Sequence, residues 1–259
     1  MLEKESKFWP VSSDSLSKLL SRHGTLLLSG ILRNSYFSFP FAPDDSLFRV
    51  RCIAGVPIIG AKGPRQPGAA KIREEQECVA ESEAGAIEFM KRLGGTLHER
   101  AEERFRREWR MSDGTLICID RLADLRVPDY CEIEALTTDA IEKWDAILGL
   151  TSGGANTGSC TFEELAAQFG VTFEEIRAPL PESVRPEESF WNDAPPLPVV
   201  DGDVVKVLRF QLTGQSGIIE SGRSWARVEF ADFRLVVDDG EALAGLLRLI
   251  GAEMFLEDK

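Results

Sequence analysis

Residues 47–62 read LFRVRCIAGVPIIGAK: two runs, Leu47–Ile53 and Val56–Lys62, meet across Ala54 and Gly55. Side chains alternate across a strand, so Arg49 and Arg51 share one face of the first run while Phe48, Val50 and Cys52 share the other. The pattern is that of a hairpin with one apolar and one charged face, the building unit of an antiparallel sheet.

The same pattern recurs along the chain. Glu3, Glu5 and Lys7 share a face in Glu3–Trp9; so do Arg73, Glu75 and Glu77 in Lys71–Val79, and Arg104 and Arg106 in Arg104–Met111. Ile117 and Ile119 precede Asp120 in the run Thr115–Asp120, and in Tyr130–Leu136 the pair Glu132 and Glu134 alternates with Cys131, Ile133 and Ala135. With a further strand at Thr25–Phe39 the count is about eight, mostly sequence neighbours, which favours an antiparallel sheet or barrel. Helical spacing is read at Ser13–His23, at Glu81–Leu93 before the stop signal Gly94-Gly95, at Thr138–Leu148 and at Thr161–Phe169.

Beyond residue 172 the character changes. Pro179, Pro181, Pro186, Pro195, Pro196 and Pro198 mark 173–198 as a Pro-rich linker or irregular wrap. Residues 199–259 read as a small α+β appendage, with strands at Val204–Leu212 and Trp225–Val237 and an apolar helix at Gly240–Phe255 through Leu243, Leu246, Leu247 and Ile250. So short a segment holds a core alone only marginally, so this face is expected to pack on the first part or on a second subunit; a homodimer or a protein partner through this part is among the expectations.

Composition narrows the function. A hydrophobic content of 43% supports a buried core, and the formal charge of −13 argues against a nucleic-acid or acidic-membrane binder, so any anion must meet a local basic cluster. The five cysteines, Cys52, Cys78, Cys118, Cys131 and Cys160, have no CxxC spacing and read as reduced thiols. No apolar run approaches the roughly 18 residues of a membrane span, and the charged start MLEKESKFWP is unlike a signal peptide; the expectation is a soluble, cytoplasmic protein. With only His23 and His98, a histidine triad or a His-rich zinc site is a poor fit, and neither GxxxxGK[ST] nor GxGxxG occurs.

Taken one at a time, charged strand faces are what any half-solvated sheet shows. Taken together they are unusual, because they carry paired carboxylates and arginines rather than a mixture of Thr, Ser, Gln and Lys, and Lys62 stands just before Gly63-Pro64. Carboxylates at two-residue spacing suit Mg2+ or Mn2+, and arginine pairs suit phosphate through bidentate hydrogen bonds. A site holding both can grip a polyphosphate, which is phosphoryl or nucleotidyl transfer chemistry.

These motifs resemble a known superfamily. Glu3-Lys4-Glu5-Ser6-Lys7 is similar to the ExExK signature of the CYTH, or triphosphate tunnel metalloenzyme, proteins, which include class IV adenylyl cyclases, thiamine triphosphatases and inorganic triphosphatases. RNSYFSFP at 33–40 resembles QxDxYFDTP, FRVR at 48–51 resembles LRIR, and AKGP at 61–64 resembles TLKGP. IREEQE at 72–77 is similar to REExE, RFRREW at 104–109 to KxRxxY, and ICIDRLADL followed by YCEIEAL to the family's Asp strand and EIE strand. The resemblance spans residues 1–172, and three departures stand out: Asn34 where Asp is usual, Arg104 for a frequent Lys, and LRVPDY in place of a glycine turn.

The resemblance implies a closed eight-stranded antiparallel β-barrel with surrounding helices, an α+β fold whose charged faces point into a tunnel. It implies metal ligands at Glu3, Glu5, Asp120, Glu132 and Glu134, with Glu75 and Glu77 as further carboxylates, and Mg2+ or Mn2+ as the cofactor. Lys7, Arg49, Arg51, Lys62, Arg73, Arg104 and Arg106 are implied as the catalytic and phosphate-binding set, with ATP, another nucleoside triphosphate or inorganic triphosphate as ligand. Three activities fit. Hydrolysis of a triphosphate comes first, because both glutamates of REEQE resemble the hydrolytic members; a class IV adenylyl cyclase is second and a non-catalytic nucleotide or polyphosphate sensor third.

Overall fold

A computed structural model describes residues 2–66, 71–98, 102–158, 162–176, 178–185, 189–200, 203–204, 206–212, 215–230 and 233–256. Along the chain come β1 (Leu2–Trp9), α1 (Ser13–His23), β2 (Gly24–Ser38), β3 (Leu47–Ile53), β4 (Val56–Lys62), β5 (Lys71–Val79), α2 (Glu83–Arg92) and β6 (Thr96–Leu97). Then follow β7 (Glu102–Met111), β8 (Leu116–Leu122), β9 (Tyr130–Ala135), α3 (Thr138–Leu148), β10 (Asn156–Gly158), α4 (Phe162–Gln168), α5 (Phe173–Ile176) and β11 (Phe190–Trp191). The C-terminal part holds β12 (Lys206–Leu212), β13 (Gln215–Ser221), β14 (Ala226–Phe230), β15 (Phe233–Val237), α6 (Gly240–Leu249) and β16 (Glu253–Leu256).

Eight of these strands close into a barrel in the order β1-β5-β4-β3-β2-β7-β8-β9, with β9 returning to β1 from Lys4↔Ala135 to Phe8↔Cys131. Every neighbour is antiparallel, and closure leaves the barrel no free edge. The β3–β4 hairpin turns through Ala54 and Gly55, both at positive φ (48° and 84°), as a tight two-residue connection requires.

Helices cover the outside where the alternation turns apolar side chains outward. Helix α2 starts where the Ser82 hydroxyl accepts from the Gly85 N–H, and it buries Ala86, Phe89 and Met90. Helix α3 is capped by Thr137, buries Ile141, Trp144 and Leu148, and stops at Gly149 in the left-handed region (φ 65°). No helix among the described residues is long and apolar enough to cross a membrane.

The C-terminal part departs from expectation in three places. The run Trp225–Val237 is not one strand: β14 and β15 pair antiparallel with each other from Ala226↔Val237 to Phe230↔Phe233. Residues 215–221, not expected as a strand, form β13 between β12 and β14. The helix expected to reach Phe255 ends at Leu249, because Gly251 adopts φ 89° and the chain re-emerges as β16 beside β12.

The resulting five-stranded sheet, β15-β14-β13-β12-β16, shares one core with the barrel's outer face. Phe48, Val50, Ile59, Ala61 and Cys78 from the barrel, Phe89 from α2, and Phe210, Val228, Leu243 and Leu247 from the C-terminal part are buried in it together. Backbone bonds tie the two as well: the Asp238 N–H donates to the Val79 carbonyl and the Glu81 N–H to the Val236 carbonyl, both at 3.0 Å. Upstream, β11 pairs with β2, the Asn192 amide donates to the Leu26 carbonyl (3.0 Å), and Arg185 reaches Glu103 (2.7 Å), so the Pro-rich segment is pinned along the barrel. Leu247→Ala is therefore expected to cost about 2–5 kcal/mol and to lower one common unfolding transition. Two separate transitions in calorimetry would contradict a shared core.

Candidate functional site

Directly opposed residues in an antiparallel pair point to the same side. The register opposes Arg51 to Asn34, Arg49 to Tyr36, Lys62 to Glu75, Lys7 to Glu132, Glu5 to Glu134 and Arg106 to Asp120. One parity thus lines the barrel with charge, while the other sends Phe48, Val50 and Ile59 into one outer core and Phe8, Ile119 and Ile133 into another.

Inside, acids and bases form one connected chain. Arg51 Nη1 is 3.9 Å from Glu77, Arg49 lies 3.0 Å from Glu77 and 3.4 Å from Glu75, and Lys62 lies 3.2 Å from Glu75 and 3.8 Å from Glu5. Lys7 bridges Glu5 (3.2 Å) and Glu132. Arg106 continues to Glu132 (2.9 Å), Asp120 (2.7 Å) and Glu108 (3.5 Å), and Arg104 ends the chain on Asp120 (3.3 Å) and the Tyr130 hydroxyl (3.1 Å). Pairing of this kind is what makes so many buried charges tolerable.

The pairings set the ionisation. Burial opposes charge on Lys7, yet Glu132 and Glu5 outweigh it and hold its pKa above the usual lysine value; burial of Arg49 is likewise overcome by Glu77 and Glu75. Against burial, Arg51 and Arg49 bring the Glu77 carboxyl down to about 2, and Arg106 and Arg104 hold Asp120 below its ordinary value. Arg51 goes the other way: burial and the positive charge of Arg49, with Arg106 and Arg104 further round, lower its pKa against the pull of Glu77. Arg51 is therefore a base whose acid partner does not offset its surroundings.

The fourteen residues singled out from the sequence separate into groups. Glu5, Glu132 and Glu134 converge, with carboxylate oxygens all within 4.8 Å of one another. Glu75 and Glu77 form a second acidic pair, held by Arg49 and Lys62. Asp120 stands with Arg106 and Arg104 and is not among the converging carboxylates. Arg73 is buried but donates to Asp45 Oδ1 (2.9 Å), to the Asp45 carbonyl and to the Gly63 carbonyl (3.0 Å), so it anchors the loop before β3. Glu3 lies opposite Arg73 in the register; its side chain is outside the described residues.

Sequence reasoning passed over three residues here. Glu108 and Tyr130 share the parity of Arg106 and Glu132, so two-residue spacing alone could have found them. Asp45 lies in an irregular loop that carries no periodic signal. Asn34, which the sequence marks as a departure bearing on substrate preference, is wholly buried. His23 packs edge-on against Trp144 outside the barrel.

No family model and no curated protein matches the chain. Solved structures do. A conserved hypothetical protein from Pyrococcus furiosus superposes with a TM-score of 0.50 at 18% identity, covering 63% of this chain and 99% of its own. The PH1819 protein from Pyrococcus horikoshii gives 0.50 at 20% identity, covering 64% and 98%. At a lower TM-score of 0.45 and 14% identity, the Hippeastrum protein HpAC1, named for adenylyl cyclase and for a dominant triphosphatase activity, covers 68% of this chain and 99% of its own. It is the two archaeal structures that show the fold. The closed eight-stranded antiparallel barrel with its charged lining agrees with the motifs, and the chain shares its fold with these two archaeal proteins.

Proposed function

We propose that this barrel binds a triphosphate and hydrolyses it with the help of a divalent cation, Mg2+ or Mn2+. The observation that carries the reading is the pairing of converging carboxylates, Glu5, Glu132 and Glu134, with a chain of buried bases on the same inner surface. Three carboxylates in one small volume are a donor set of the kind hard divalent ions take, and such an ion would supply charge neutralisation at phosphoryl oxygens.

The protein's own residues would do the rest. Arg49, Arg51 and Lys62 on adjacent strands would hold phosphate oxygens, with Arg104 and Arg106 across the barrel; the ion pairs that now satisfy them keep them oriented before the ligand arrives. Arg73 would keep the mouth loop in place through Asp45 rather than touch phosphate. In this reading residues 1–172 contain the chemistry, while 199–259 support the barrel wall.

Incubation with ATP and with inorganic triphosphate, plus Mg2+ or Mn2+, tests this. Orthophosphate release is expected; cyclic AMP would make the protein a cyclase, and tight binding without turnover a sensor. Arg49→Ala, Arg51→Ala and Lys62→Ala are each expected to cost roughly 1.5–3 kcal/mol of binding, with the loss growing from mono- to di- to triphosphate ligands in titration calorimetry. A loss independent of phosphate number would contradict a site that counts phosphates.

A further inference from the structure

The ion-pair chain runs from Arg51 on β3 through β5, β4, β1, β9 and Asp120 on β8 to Arg104 and Arg106 on β7, and skips one strand. Among the described residues, β2 alone of the eight barrel strands gives no charged side chain to the lining; its inward positions include Leu32, Asn34 and Tyr36. Asn34 stands in this gap, directly opposite Arg51. It is 0% exposed, and neither its Nδ2 nor its Oδ1 has a partner among the described residues; the buried Arg51 Nε is likewise without one.

A buried amide left unsatisfied weakens a fold, so its presence asks for a ligand. Phosphate oxygens only accept hydrogen bonds. They would satisfy Asn34 Nδ2 and Arg51 Nε but leave Asn34 Oδ1 bare beside negative charge. A neutral group that both accepts and donates satisfies all three atoms. Next to Asn34 the lining turns apolar: Leu32 pairs with Ile53, and both belong to a buried cluster with Leu28 and Ile58 against which Trp191 packs. Asn34 thus marks the boundary between the charged zone and a carbon-lined one.

We propose that Asn34, with Arg51, is the specificity-determining contact for the organic end of the ligand, taking a hydroxyl or amide-type group attached to the triphosphate and so favouring an organic triphosphate over the inorganic one. This rests on the triphosphate reading above. A group of that class, met by an amide that both donates and accepts, is discriminated strongly because its absence leaves buried polar atoms unpaired.

The test measures binding of ATP and of inorganic triphosphate, each with Mg2+, to the full chain by calorimetry, for wild type, Asn34→Ala and Asn34→Leu, alongside melting temperatures. Expected is a tenfold or greater loss of ATP affinity in both variants, with inorganic triphosphate affinity within about twofold of wild type, and no fall in melting temperature for Asn34→Leu, which removes two unsatisfied atoms. Equal losses for both ligands, no loss for either, or a destabilised Asn34→Leu would each overturn the proposal. Wild type binding inorganic triphosphate with Asn34→Ala unchanged towards ATP sinks only the role of Asn34; wild type binding neither ligand sinks the triphosphate reading as well.

Discussion

Arg106→Met is expected to destabilise the protein by about 3–5 kcal/mol, the cost of leaving buried charge without its partner. Methionine fills much of the same volume, so the loss reports charge more than cavity. Arg106 donates two bonds to Asp120, at 2.8 and 2.7 Å, and one to Glu132 at 2.9 Å, and Asp120 is 0% exposed. After the change Arg104, 3.3 Å away, is left to face Asp120. The sign of the pH dependence follows. In wild type the Asp120 pKa is depressed, so its contribution is present above the ordinary aspartate value and is lost as pH falls through the folded value. In the variant, burial pushes that pKa upward, giving a penalty at neutral pH that fades on acidification. Urea unfolding at neutral and acid pH should show the gap between the two proteins narrowing towards about pH 5. A gap below about 1 kcal/mol, or one that does not change with pH, would mean that Arg106 is not what holds the Asp120 carboxylate ionised inside the barrel.

Removing the converging carboxylates should have the largest effect on turnover. Glu5→Gln, Glu132→Gln and Glu134→Gln are each expected to reduce the rate at least about tenfold, roughly 1.4 kcal/mol of transition-state stabilisation, and EDTA should abolish it. Glutamine preserves shape and part of the hydrogen bonding, so the barrel should stay folded; for Glu5 the contacts to Lys7 and Lys62 make a melting curve the necessary companion. Undiminished triphosphate turnover in EDTA, or in all three variants, would rule out the metal assignment.

Much of this was legible in the residues because parity is strict. Once Arg49 and Arg51 alternate with Phe48, Val50 and Cys52, strand geometry forces them to opposite sides, and the same rule reads β5, β7 and β9. What parity does not carry is the partner. Arg73 has the spacing of a lining residue, but its guanidinium is taken by Asp45, from a loop whose position depends on the folded barrel. Asp120 reads as a metal carboxylate by its place in a motif, and its neighbours Arg104 and Arg106 on β7 claim it. The C-terminal part was harder, because β14 and β15 lie within one apolar run of the sequence, and another apolar run continues past the point where Gly251 breaks the helix.

The chain of lining charges also constrains how this tunnel can drift over generations. Reversing one charge within it strands buried neighbours on other strands, as at Lys62 between Glu75 and Glu5. Such positions can change only by linked substitution, and related chains would be expected to diverge there in coordinated pairs. Position 34, on the strand the chain skips, stands outside that linkage and can vary alone, so shifts of ligand preference would be cheapest to acquire on β2.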